Sequence, residues 1–165
     1  MKKLLIVTTG GTIDKTYFDD MSDYQIGEPM IGQILEQLQV GFEFEVRQLM
    51  RKDSLHITDT DRLAIRTEIS ASDAGHVLIT HGTDSMVNTA LQLADIAGKT
   101  MVLTGALNPA RFRDSDAVFN IGCAVGALQA LPPGVWIAMH GCIWDPHKVR
   151  KNRQKNRFES KPATE

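Results

Sequence analysis

Five short runs of strand length alternate along this chain with four helical patterns, and that alternation restricts the fold most. Residues 4–8 form a continuous apolar run. Residues 28–39 place Met30, Ile31, Ile34, Leu35 and Leu38 at helical spacing, with Pro29 in the first turn and Gly41 as the stop. Phe42, Phe44 and Val46 then alternate with Glu43, Glu45 and Arg47, as in a half-buried strand. Residues 59–70 read as a helix with Thr58 as N-cap, 77–80 as a buried strand, and 84–97 as a helix closed by Gly98. A strand at 100–104, a helix from Ser115 to about Ala130 ended by Pro132-Pro133, and a strand at 135–139 complete the series. Such alternation predicts an α/β protein: three layers, α/β/α, around a mainly parallel, flavodoxin- or Rossmann-like sheet.

In sheets of this kind, ligands bind at the carboxyl ends of the strands. Three polar, glycine-containing stretches fall there: Thr8-Thr9-Gly10-Gly11-Thr12, Thr80-His81-Gly82-Thr83-Asp84 and Thr104-Gly105-Ala106-Leu107-Asn108. An isolated Gly-Gly is usually a plain turn. It is not a phosphate loop here, because no Gly-Lys-Ser/Thr follows and no third glycine opens a helix. Thr83 or Asp84 could serve as a helix cap. Capping does not explain a second threonine facing the first across neighbouring strand ends. Two hydroxyls and a carboxylate at one crevice suggest nucleophilic chemistry, in which a threonine needs a base or proton relay.

The 165 residues suit one domain, and 18 basic against 20 acidic residues argue against a nucleic-acid binder. The charge is uneven: residues 148–165 hold seven basic and two acidic residues. A solvated run is the plain reading of this tail. A segment lying over an acidic site and presenting Lys151 is the functional one. Cys123 and Cys142 form no disulfide framework, and Cys123 reads as a buried thiol. His56, His76, His140 and His147 show no metal pairing. Trp136 and Trp144 read as core or interface rings. The apolar run after Lys3 is too short for a signal peptide, nothing reads as a membrane span, and the expected location is cytoplasmic.

Thr9-Gly10-Gly11-Thr12-Ile13 and His81-Gly82-Thr83-Asp84-Ser85-Met86 resemble the two signature motifs of the bacterial-type L-asparaginase family. Asp23-Tyr24 sits where that family has a loop tyrosine, and Asp53-Ser54 resembles its substrate-carboxylate serine. Thr104-Gly105-Ala106, Ser115-Asp116 and Phe119-Asn120 match the next strand and helix. Residues 139–158 match the segment bearing the family's lysine, which falls at Lys151. The resemblance implies hydrolysis of L-asparagine to L-aspartate and ammonia, with at most minor action on glutamine and no cofactor or metal. Thr12 would attack the amide carbon to give an acyl-enzyme, aided by Tyr24. Thr83, Asp84 and Lys151 would relay protons and position water. Gly11, Asp53, Ser54, Gly82 and Ala106 would line the substrate site. Asp84 would also take the α-ammonium and Ser54 the α-carboxylate.

Members of that family run well beyond this length, with a second domain that closes a neighbouring subunit's site and adds an acid for the substrate amine. No counterpart of that acid occurs here, and Val87 stands where members often carry an acid. The expected organisation is a catalytic domain over 1–146 and a basic tail, 147–165, bearing Lys151. The alternative is a non-catalytic or weakly catalytic amino-acid-binding module. Residues 14–26, polar and without a regular apolar pattern, are expected to form a mobile lid. The apolar stretch 135–144 is expected to be exposed and to support a homodimer or larger homo-oligomer, with neither nucleic acid nor membrane as partner.

Overall fold

The computed structural model describes residue 1, residues 3–18 and residues 23–162. β1 (Lys3–Gly10) pairs in parallel with β4 (Glu43–Lys52) on one side and β5 (His76–Thr80) on the other. β6 (Thr100–Thr104) and β7 (Gly134–Met139) extend the parallel sheet, and β8 (Cys142–Trp144) closes it antiparallel. The order β4-β1-β5-β6-β7-β8 is, over its parallel part, the flavodoxin order. Its topological switch point lies between β1 and β5, so the crevice there is flanked by Gly11-Thr12 and Gly82-Thr83.

Alternation of side chains along the strands makes two cores. Leu5, Val7, Val77, Ile79, Met101 and Leu103 pack against α2 (Asp59–Ala71) and α3 (Met86–Leu93). Leu4, Ile6, Leu78, Val102 and Ala138 pack against α1 (Ile31–Gln37) and α4 (Ala117–Ala130). The predicted three layers are therefore present.

The helix at 59–70 comes out almost as expected because its signal is local. Thr58 and Asp61 form a reciprocal capping box. Other boundaries shift where distant groups intervene. α1 starts at Ile31 rather than Glu28, since the Met30 N–H donates to Asp14 Oδ1 (3.0 Å) and the Gly27 N–H to the Asp14 carbonyl (2.8 Å). Its end is turned by Gln39, in the left-handed region at φ 49°, not by Gly41. α3 spans Met86–Leu93 rather than 84–97, with Ser85 at its N-cap, so neither Thr83 nor Asp84 caps it. Instead the Asp84 N–H donates to Ser54 Oγ (3.2 Å) and Ser85 Oγ–H to the Ser54 carbonyl (2.6 Å). α4 begins at Ala117 with Asp116 at the N-cap, while Ser115 Oγ accepts from the Ala117 N–H.

Three expectations need correction. Residues 135–144 are not one exposed apolar face: Val135, Ile137, Ala138 and Met139 are buried within the two cores and Trp136 and Trp144 are partly buried against them, while Ile143 on the edge strand β8 is exposed. β7 runs through a sheet covered on both sides, so the apolar surface offered to a second copy narrows to the edge strand β8. Residues 14–18 and 23–26 are not irregular. Asp14 is 2% exposed, and β2 (Lys15–Phe18) pairs antiparallel with β3 (Asp23–Ile26), Tyr17 opposite Tyr24. The expected lid also includes 19–22, which lie outside the described residues. Finally, Cys123 is only half-buried and Cys142 is exposed.

Within the basic tail, residues 149–160 are neither loose nor simply solvated. β9 (Val149–Asn152) and β10 (Arg157–Ser160) form a hairpin that pairs Lys151 with Phe158. Val149 and Phe158 are buried in the α2/α3-side core. A buried phenylalanine contributes about 1.5–3 kcal/mol, enough to hold this hairpin on the domain.

Candidate active site

Both threonine motifs begin where a parallel strand leaves the sheet. Thr9 Oγ1–H donates to the Thr80 carbonyl (2.9 Å), tying the ends of β1 and β5, and the His81 N–H donates to the Thr104 carbonyl (2.9 Å). Gly11, at φ 89°, is in the left-handed region that favours glycine. A Cβ there would lie 2.5 Å from the Gly82 nitrogen, and one on Gly82 would lie 2.6 Å from Ser54 Cβ. The backbones of Gly11 and Gly82 thus touch, with Ser54 on the far side of Gly82. This contact brings Thr12, Ser54, Thr83 and Asp84 to one crevice.

His81 underlies the second motif. Its ring is fully buried between the Gly82 carbonyl (2.7 Å from Nδ1) and Thr89 Oγ1 (2.8 Å from Nε2). A carbonyl only accepts, so Nδ1 carries the proton and Nε2 accepts from the Thr89 hydroxyl. Burial pushes the histidine down to about 4, against the Gly82 hydrogen bond and with a small contribution from Arg62. A neutral ring thus sets the path of the chain into Gly82-Thr83.

Lys151 approaches from the C-terminal hairpin. Its Nζ donates to Thr83 Oγ1 and to Asn156 Oδ1, each at 2.8 Å, and lies 5.7 Å from the centre of the Phe158 ring. Burial lowers the lysine's pKa; Arg153 lowers it further, while Asp84 and Asp116 oppose the shift. Arg153 Nε lies 3.6 Å from Asp84 Oδ1.

The Asp116 carboxylate accepts from the Leu107 and Asn108 N–H groups (3.0 Å) and from Asn120 Nδ2 (2.8 Å). Asn120 Nδ2 also donates to the Gly105 carbonyl, and its Oδ1 accepts from the His140 N–H. This staple holds the third strand end. Ala106 is buried in the α1/α4-side core.

Tyr24 is 47% exposed, tilted against Tyr17 at 5.3 Å and edge-on to Phe112 at 6.2 Å. It shares a recess of about 430 Å³ with Lys15 and Asp53. Burial raises the Asp53 carboxyl, but the Leu55 N–H and Lys15 (3.2 Å) outweigh it and hold the group below its ordinary value. Among the described residues, neither the Tyr24 nor the Thr12 hydroxyl has a hydrogen-bond partner. The structure therefore joins Thr83, Asp84, Ser54 and Lys151 in direct contact, links Gly11-Thr12 through backbone, and leaves Tyr24 at the hairpin.

Sequence reasoning missed Asn156, Arg153 and His140. Asn156 at φ 45° in the hairpin turn could have been suspected, since asparagine tolerates that conformation. Nothing local marks the reach of Arg153 to Asp84. Among the described residues no group of three or more His, Cys, Asp or Glu could hold a metal, and no helix is long and apolar enough to cross a membrane.

The fold and site define an open parallel α/β protein with a hydroxyl–lysine pair at its switch point. Residues 3–164 match the family described as Asparaginase, N-terminal. The chain is 30% identical over 155 residues to an L-asparaginase of Thermococcus kodakarensis, covering 90% of this chain and 47% of that protein. It is 29% identical over 164 residues to a glutamyl-tRNA(Gln) amidotransferase component of Methanococcus vannielii, covering 88% and 36%. The solved structure of the thermostable L-asparaginase from T. kodakarensis superposes with a TM-score of 0.82 at 27% identity, over 96% of this chain and 51% of that one. This chain belongs to the asparaginase family and corresponds to its N-terminal domain. It spans about half the length, or less, of these relatives.

Proposed function

We propose that this domain hydrolyses L-asparagine to L-aspartate and ammonia through a threonine ester. The observation that carries the reading is the 2.8 Å contact of Lys151 Nζ with Thr83 Oγ1, made by a lysine whose pKa burial lowers. A lysine in that state can give up its proton, then accept one from a hydroxyl. Thr12 Oγ1 attacks the side-chain amide carbon, and its proton passes to the nitrogen that leaves as ammonia. Water, held by Thr83 and deprotonated through Thr83 and Lys151, attacks the ester carbon. The C–O bond to Thr12 breaks, the hydroxyl is restored and L-aspartate departs. Tyr24 assists Thr12 when its hairpin closes over substrate. Gly11, Asp53, Ser54, Gly82 and Ala106 line the substrate site, with Ser54 on the α-carboxylate and Asp84 on the α-ammonium.

The test is ammonia release from L-asparagine by purified protein, with L-glutamine and D-asparagine alongside. Turnover of L-asparagine that disappears in Thr12→Ala supports the proposal. Saturable binding of the amino acid without ammonia release replaces it with the binding-module reading. The similarity to amidotransferase components favours a second reading, in which the same amide chemistry serves an amidotransferase; preference for L-glutamine would support that one. The proposal includes a cytoplasmic location and a homodimer or larger assembly, the latter tested by sedimentation.

A further inference from the structure

We propose that Arg153 is a specificity-determining residue: by occupying Asp84 it makes the crevice accept ω-amides and dicarboxylates that lack an α-ammonium at least as well as the α-amino acids. The inference rests on the reading of Asp84 as the amine-binding group.

The C-terminal hairpin distributes its positive charge unevenly. Arg150 and Arg157 both pair with Glu159 inside the hairpin, at 2.7 and 3.7 Å. Lys151 is taken by Thr83 and Asn156. Arg153 instead reaches off the hairpin to Asp84, a residue of the β5–α3 turn. The hairpin turn is built to present it: the Lys155 N–H donates to Asn152 Oδ1 (3.0 Å), and the Asn156 N–H to the Arg153 carbonyl (3.3 Å). The element that delivers Lys151 thereby also delivers a second cation.

Asp84 has little else to satisfy it. Its backbone N–H is bound to Ser54 Oγ, but among the described residues Arg153 is the one ion-pair partner of its carboxylate. The charged groups around it are Lys151 and Arg153 from the hairpin; Asp116, at the start of α4, acts on Lys151. Asp116 is already engaged by two N–H groups and Asn120. An α-ammonium brought to Asp84 would meet a carboxylate already countered by a guanidinium, with the Lys151 nitrogen nearby. Like charges repel there, and the attraction that should select an amino acid is largely cancelled. Arg153 is 63% exposed against 32% for Asp84, so the pair can open towards solvent, and its effect is a bias on affinity rather than a block.

The experiment measures binding of L-aspartate and of succinate, its counterpart without the amine, by calorimetry to the wild type, Arg153→Gln and Arg153→Lys. Thermal unfolding of each variant is followed in parallel. The wild type is expected to bind succinate at least as tightly as L-aspartate. R153Q should shift the ratio towards L-aspartate by about fivefold. R153K, which keeps the charge, should stay near the wild-type ratio. An unchanged ratio in R153Q overturns the inference, as does strong wild-type preference for L-aspartate or failure of all three proteins to bind either ligand. Ammonia release from L-asparagine and succinamate separates this from the proposed hydrolysis: a shifted binding ratio without turnover of either amide refutes the hydrolase and leaves the role of Arg153 standing.

Discussion

The ends of β1 and β5 carry the same two letters, Gly11-Thr12 and Gly82-Thr83, on opposite sides of one backbone contact, yet they are built differently. At β5, a fully buried neutral His81 satisfies both ring nitrogens, Thr83 is buried, and Lys151 holds its hydroxyl. At β1, Thr12 is half-buried and its hydroxyl has no hydrogen-bond partner among the described residues, and the chain continues into a hairpin whose Tyr24 touches Tyr17 and Phe112. Even the buried titratable groups differ in sign. Asp14 has Oδ1 on the Met30 N–H and Oδ2 buried without a partner among the described residues. Burial raises it to about 6, against the Met30 hydrogen bond, Arg111 and Arg51. One half of the crevice is tied down by hydrogen bonds, and the other leaves the hydroxyls of Thr12 and Tyr24 unengaged among the described residues.

The sharpest test of that contrast is activity. Thr83→Val and Lys151→Met should each lower kcat at least about 10³-fold, as Thr12→Ala should, because in the proposed mechanism each removes the nucleophile or its proton relay. Thr12→Ala and Thr83→Val should cost about 1 kcal/mol or less in stability, checked by urea unfolding. Wild-type turnover in any of the three would remove that residue from the chemistry.

Phe158→Ala should cost about 3–5 kcal/mol and detach the hairpin that carries Lys151. Loss of activity with a preserved sheet, read by far-UV circular dichroism, would show that the tail is positioned by this one ring.

The two buried titratable groups make opposite pH demands. Asp14, with a raised pKa, contributes stability that is present below about 4 and lost as pH rises through about 6. His81, with a depressed pKa, contributes stability that is present above 6.5 and lost as pH falls through about 4. Each is worth about 3 kcal/mol, so their contributions nearly cancel in the wild type. Asp14→Asn should leave a stability that rises by about 3 kcal/mol from pH 4 to 6.5, and His81→Gln one that falls by a similar amount. Urea midpoints across that range decide it; parallel profiles for both variants would refute the assignment.

The smallest effect belongs to Tyr24. Tyr24→Phe should reduce kcat about tenfold with unchanged stability, since its hydroxyl makes no hydrogen bond among the described residues. Amide exchange should be faster at Tyr17 and Tyr24 than at Ile79 and His81, and should slow on addition of L-aspartate. Equal protection at both strand ends would erase the comparison.

Elements whose signals are local were legible in the chain. Residues 100–104 are a strand because five consecutive residues can be buried on both faces of a sheet, and α2 starts where Thr58 and Asp61 cap it. The two Gly-Thr motifs were legible as strand-end features for the same reason. The short α3 and the late start of α1 were not, because Ser54 and Asp14 bind backbone N–H groups 30 and 16 residues away. Nor was the fate of 135–144, since an apolar run reads alike whether it faces solvent or passes between two helical layers. Strand order, the touching glycines, the Lys151–Thr83 contact and the Arg153–Asp84 pair were decided only by tertiary structure. Each depends on side chains or backbones brought together across the sheet, and periodicity along one segment carries no information about what lies on the other side of that contact.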